Sequence, residues 1–299
     1  MGAFVVVPGR ASAYAQGPPL FDLMKKSIAF LATFAFAFSA LHAEDVKPLK
    51  ILLITGGCCH DYAKQKDILK KGIEERINAE VTQVHTDDKS TKPPLAILGN
   101  PEYAKGYDLV IHDECAADIK DLAVIDGVIK PHLEDGIPGV NLHCAMHCYR
   151  FGDFGKPVPA GAENSHWYAY LGIQSTGHGA QLPITVTVTD EKNPVTASII
   201  GWVTGKEELY NNIQILTGKE LARGKQGAGD KVGQNDTVVV WTNEFGPKKT
   251  KVFSTTLGHN NTTVEDPKYL DLVTHGILWA TGKMTPEGKP KAGYEAKKK

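Results

Sequence analysis

The run Lys50-Ile-Leu-Leu-Ile-Thr55 is apolar at every central position and stops at Gly56-Gly57. A strand that is apolar throughout, not at alternate residues, is one buried on both faces, as in a parallel sheet. From Lys64 to Asn78 the apolar residues Ile68, Leu69, Ile73 and Ile77 fall at helical spacing. Glu80 to His85 alternates and predicts a second strand, Tyr107 to His112 a third and Ile137 to Leu142 a fourth. Between the last two, Ile119 to Leu133 predicts a helix through Leu122, Ile125, Ile129 and Leu133, with Pro131 disturbing its last turn. Cys144 to Tyr149 opens another helix. This strand–helix–strand order calls for right-handed crossovers and a doubly wound, mostly parallel sheet.

The pattern changes in the second half. Leu182 to Thr189 alternates strictly through Ile184, Val186 and Val188, which predicts a half-exposed strand. Further strands are predicted at Asn212–Leu216, Thr237–Trp241 and Lys251–Leu257, and a closing helix at Asp266–Gly282. Residues 151–181 and 218–235 read as long loops, and 285–299 as a basic, flexible tail.

At the other end, Met24-Lys25-Lys26 precedes the apolar run Ser27–Phe38, and Ser39-Ala-Leu-His-Ala43 follows it. A basic start, a short apolar stretch and a small residue at the junction make a secretory signal with cleavage near Ala43. The run is shorter than the ~20 apolar residues that cross a bilayer. Residues 1–23 read as an upstream extension, with Met24 the true start. The expected organisation is therefore 1–43 as extension plus signal peptide, 44–284 as a single α/β domain, and 285–299 as tail. Such a protein is periplasmic or secreted and has no membrane anchor once the signal is removed.

Composition narrows the partners. The chain is 42% hydrophobic and 22% charged, ordinary for a globular protein. Its 33 Lys and Arg against 34 Asp and Glu leave no basic field to hold nucleic acid. No G-x-G-x-x-G follows the first strand and no P-loop occurs, which disfavours a nucleotide cofactor. The five cysteines are Cys58, Cys59, Cys115, Cys144 and Cys148. An odd number with close neighbours does not make a disulfide framework, even in an oxidising compartment, and their redox state stays open.

The candidate chemistry lies just after the strands, where open parallel sheets bind ligands. Gly56-Gly-Cys-Cys-His60-Asp61 follows the first strand, His112-Asp-Glu114-Cys115 the third, and His143-Cys-Ala-Met-His147-Cys148 the fourth. Gly258-His259-Asn260 follows the strand ending at Leu257. His60, His143 and His259 are the candidate catalytic residues. His143 stands where a nucleophile elbow would carry Ser or Cys, and imidazole there serves as acid, base or ligand instead. A divalent metal such as zinc would have His60, His143, His147 (four residues on) and Glu114 as candidate ligands. A second group, Trp167, Tyr168, His178, Glu208, Tyr210 and Asn260, offers aromatic faces and hydrogen-bonding side chains suited to a sugar.

From Lys50 to Lys283 the chain resembles the ThuA-like family, named for trehalose utilisation. The resemblance rests on the Leu-Ile-Thr-Gly first strand, Gly139-Val-Asn-Leu-His143, Trp167 with Leu171-Gly172, His178, and Glu207-Glu-Leu-Tyr210. Leu257-Gly-His259 and Gly276-Ile-Leu-Trp-Ala-Thr-Gly282 complete it. It implies a flavodoxin-like or class I glutamine amidotransferase-like fold, with histidine where amidotransferases carry their cysteine. It also implies a role in carbohydrate catabolism. The expectation is an exported enzyme acting on a disaccharide or keto-sugar by histidine-dependent hydrolysis or isomerisation. A metal-dependent hydrolase of another substrate and a non-catalytic sugar-binding module are the alternatives, and homo-oligomerisation stays open.

Overall fold

In the computed structural model, which describes residues 46–229 and 233–297, the first apolar run becomes strand β1 (Leu49–Gly57). The extension and signal expected over 1–43 lie outside the described residues. Next come α1 (Tyr62–Glu74), β2 (Ala79–Thr86), β3 (Leu109–Cys115), α2 (Leu122–Lys130) and β4 (Gly139–Leu142). The expected disturbance at Pro131 takes the form of a π-helical turn over Pro131–Asp135. The helix expected after β4 is a short 3-10 turn, His143–His147. Then follow α3 (His166–Leu171), β5 (Ile173–Gln174), β6 (His178–Val188), β7 (Val203–Tyr210), β8 (Gln214–Ile215) and β9 (Lys219–Lys225). The chain closes with β10 (Asp236–Phe245), β11 (Thr250–Thr255), α4 (Asn261–Val264) and α5 (Pro267–Ala280).

Nine strands form one sheet in the order β2-β1-β3-β4-β11-β10-β9-β6-β7, and β5 pairs separately with β8. From β2 to β11 every neighbour is parallel. From β11 onward every pairing is antiparallel. β7 and β9 were not expected as strands, because Lys206-Glu207-Glu208 and Lys219-Glu220 break their apolar pattern. In β7 the first residues are mostly exposed while Glu207 to Tyr210 are all buried, so its charges are held by tertiary partners and not by water. The strand expected at 212–216 shrinks to the two residues of β8.

The parallel part is covered on both faces. Ile51 and Leu53 of β1 pack with Leu69 and Ile73 of α1 and with Leu272, Val273 and Ile277 of α5. Leu52 and Ile54 point the other way, toward Ile125 and Val128 of α2 and Trp167 and Tyr170 of α3. Residues 285–297, expected as a flexible tail, are instead tied down. The Asn78 amide donates to the Tyr294 carbonyl at 2.9 Å, and the Asn78 side chain donates to the Gly293 carbonyl at 2.9 Å. No helix of the described residues is long and apolar enough to cross a membrane.

Candidate active site

Because β1, β4 and β11 run in parallel, their carboxyl ends open on the same edge of the sheet. His143 is the first residue after β4 and holds φ at 42°, a left-handed conformation rare outside glycine. Its Nδ1–H donates to the Thr256 carbonyl at 2.6 Å, just past β11. In a neutral ring that bond fixes the tautomer, and it turns Nε2 toward Tyr210 and His259. The Tyr210 hydroxyl lies 3.2 Å from Nε2, and His259 Nδ1 lies 3.3 Å from it.

His259 sits on a turn clamped from two directions. Glu207, fully buried, accepts the Gly258 amide at 3.3 Å and the His259 amide at 3.0 Å. From α1, the Gln65 side chain donates to the His259 carbonyl at 3.1 Å. Gly258 holds φ at +119°, and a Cβ there would collide with the Tyr269 hydroxyl. His60 closes the third side, in the loop between β1 and α1. Its Nδ1 is 3.4 Å from the His259 carbonyl, and its ring meets those of His143 and His259 edge-on at 4.6 and 4.8 Å.

The negative charge beside the cluster comes from β7. Glu208 Oε2 lies 3.3 Å from His259 Nδ1 and 3.6 Å from both His143 Nε2 and His178 Nε2. Burial by itself would raise the Glu208 carboxyl, but the imidazoles of His143 and His259 beside it hold it well below the usual carboxylate range. Burial likewise opposes charge on His259, yet the Glu208 carboxylate raises its pKa above the ordinary imidazole value. His60 moves the other way. Desolvation, followed by the fields of His143 and His259, lowers it to about 2, so it stays neutral. Neighbouring imidazoles pushed apart in this way divide into a proton donor and a neutral acceptor.

His60, His143 and His259 each offer a nitrogen within 4.8 Å of the others, and the anchored Nδ1 of His143 turns its Nε2 toward the other two rings. A ligand histidine steadied by a backbone carbonyl is the usual support of a metal site. The donor set therefore fits a divalent cation such as zinc.

Other expected residues fall elsewhere. His147 does not join the cluster: Ser175 takes its Nε2 at 3.0 Å, and its ring stacks under Tyr210 at 4.1 Å. Glu114 is on the opposite face of β3, where it accepts the Tyr149 hydroxyl at 2.9 Å and pairs with His112 Nδ1 at 3.0 Å. His112 in turn meets His132 at 3.2 Å, so this is a buried structural chain. Trp167 is core, 2% exposed, with its indole N–H donated to the Ala145 carbonyl, and Tyr168 is 1% exposed; neither has a face for a sugar. Asn260 donates its amide to the Lys206 carbonyl at 2.6 Å and straps α4 to β7. His178, Glu208 and Tyr210 do stand beside the histidine cluster, though Tyr210, 1% exposed, has no more open face than Tyr168. The supports Glu207, Gln65 and Thr256 were missed. For Glu207 the signal was its place beside Glu208; Gln65 and Thr256 gave none.

Residues 50–280 match the model of a family described as ThuA, trehalose utilisation. Among solved structures, a ThuA-like protein from Parabacteroides merdae is 18% identical with a TM-score of 0.56. The match covers 84% of this chain and 98% of that one, and the likeness is one of fold. A glutamine amidotransferase from Thermotoga maritima is 11% identical with a TM-score of 0.41, covering 71% of this chain and 76% of that one. No curated protein matches the sequence.

Proposed function

The chain belongs to the ThuA family, and on that premise we propose that it is an exported carbohydrate-utilisation enzyme. Its substrate in this reading is a disaccharide or keto-sugar, turned over by proton transfer within His60, His143, His259 and Glu208. The observation that carries the reading is the convergence of three strand-end imidazoles, two of which, His143 and His259, meet the buried carboxylate of Glu208. Protonated His259, held charged by Glu208, gives a proton to the carbonyl or bridging oxygen of the sugar. Neutral His60 and the Nε2 of His143 accept protons from its hydroxyl or C–H groups. His178, 40% exposed, grips hydroxyls at the rim, while buried Tyr210 orients the His143 ring from behind.

A two-carboxylate glycosidase mechanism needs a second free carboxyl group beside the first. Glu207 is the nearest in sequence, but its oxygens are committed to the amides of Gly258 and His259. This favours isomerisation or another proton-transfer step at a keto-sugar over hydrolysis of that kind.

A second reading rests on the three nitrogens within 4.8 Å. There His60, His143 and His259 hold a divalent metal, which would polarise a carbonyl or activate water. Elemental analysis of untagged protein separates the two readings. Near-stoichiometric metal that is lost in His60→Ala supports the second; metal-free protein that takes up no added zinc supports the first. For either, a screen of disaccharides and keto-sugars with His143→Ala as control tests the enzyme assignment, and turnover unchanged in that variant refutes it. Export is tested separately by N-terminal sequencing of the mature protein, expected to begin at Glu44.

A further inference from the structure

The loop leading into His60 carries a group that proton transfer on a sugar does not use. Cys58 and Cys59, adjacent in sequence, are joined by a disulfide with their Cα atoms 3.7 Å apart. Cys59 holds φ at 82°, a left-handed backbone for a residue with a side chain. Cys115, the last residue of β3, is a free thiol whose Sγ lies 3.3 Å from Cys58 Sγ. The closeness is built into the sheet. Gly57, next to Cys58, is the register partner of Cys115, and a Cβ on Gly57 would run into the Cys115 carbonyl. Cys144 and Tyr62 complete the same small buried cluster. The three sulfurs differ in access: Cys59 is exposed, Cys58 half-buried and Cys115 buried.

We propose that Cys58, Cys59 and Cys115 form a thiol–disulfide exchange site with two disulfide isomers, open at Cys59 to small thiols and disulfides. In the exchange, Cys115 Sγ attacks Cys58 Sγ as its thiolate. The Cys58–Cys59 bond breaks and a Cys58–Cys115 bond forms. Cys59 leaves as the thiolate and takes up the proton that Cys115 gave up. One disulfide is present before and after, so no oxidant or reductant is consumed. The products place a free thiol on the surface at Cys59 and a cross-link between the ends of β1 and β3. An external disulfide such as glutathione disulfide then reacts at Cys59, leaving a mixed disulfide there and releasing one thiol. Exchange also frees Cys59 from the ring that fixes its left-handed backbone. The isomers therefore hold the following residue, His60, differently.

Two measurements test this. Native wild type and Cys115→Ser are labelled with N-ethylmaleimide, and the rate at Cys59 is read by peptide mass spectrometry. The wild type is expected to label at least about tenfold faster, because only there can Cys115 release Cys59. Equal rates overturn the proposal. Separately, Cys59→Ser treated with glutathione disulfide is expected to yield the Cys58–Cys115 cross-linked peptide. Its absence from a variant with an unchanged circular dichroism spectrum also overturns it. Should Cys59→Ser not fold, the labelling comparison decides alone.

Discussion

The parallel and antiparallel halves of the sheet contribute to the histidine cluster in different ways. In the parallel half, β1, β4 and β11 end on one edge, and the segment after each delivers a histidine: His60, His143 and His259. These positions follow from topology, since any parallel sheet gathers its carboxyl ends. In the antiparallel half, β7 brings Glu208 and Tyr210 to the same place, with Glu207 one residue earlier holding the His259 turn. These residues are reached by a long tertiary route and set charge and orientation. The parallel half thus supplies the three imidazoles, and the antiparallel half supplies the carboxylate that raises the pKa of His259.

The largest expected effect breaks the parallel contribution outright. His143→Ala and His259→Ala are each expected to lower turnover of an identified sugar by about 10²–10⁴-fold, in the range of general acid–base catalysis. Steady-state kinetics check this. Next is a support from the antiparallel half. Glu207→Ala strands two backbone amides that a buried carboxylate now satisfies, at a cost of about 3 kcal/mol in stability. Urea unfolding should show it, with Glu208→Gln, whose shape is kept, costing much less.

The pH dependence of stability sharpens the same contrast. His60 is lowered to about 2 and His132 to about 3, and burial lowers His147 as well. Once unfolded, these rings take up protons below pH ~6.5, while the folded state does not. Stability therefore falls as pH drops below that value, by about 1.4 kcal/mol per pH unit for each ring. His259, raised by Glu208, acts in the opposite sense: its contribution is full below pH ~6.5 and is lost as pH rises through its folded pKa. Glu208, depressed, contributes above the ordinary carboxylate range and loses that contribution as pH falls through and below it. Chemical denaturation across pH 4–8 reads the net slope, and ~6.5 marks where it should turn. The smallest effect on the candidate site concerns Trp167. Trp167→Phe, which removes the bond to the Ala145 carbonyl and part of a buried ring, is expected to cost roughly 2–3 kcal/mol in stability without changing sugar affinity.

Much of the parallel half was legible in the sequence. Ile51 to Ile54 is apolar on both faces, and the polar residues after each such run had to lie at the sheet's edge. The antiparallel half was not, for reasons visible in single residues. Glu208 stood out as a sugar ligand beside Tyr210, but nothing in Lys206-Glu207-Glu208 showed a strand or a link to His259, some fifty residues later. Composition also misled at Trp167 and Tyr168, since aromatic character says nothing about which rings stay open to a ligand. His147 shares its spacing from His143 with metal-binding pairs, but the 3-10 turn carries it under Tyr210. The Cys58–Cys59 bond joins neighbours, a pairing that spacing arguments do not consider.

The central claim is that Glu208, from the antiparallel half, sets the protonation of His259 in the parallel half. Imidazole nitrogen NMR titration of wild type and Glu208→Gln tests it directly. The expected result is a His259 pKa above the ordinary value of ~6.5 in the wild type and below it in the variant, where burial acts unopposed. A His259 that titrates at the same pH in both proteins would contradict the account.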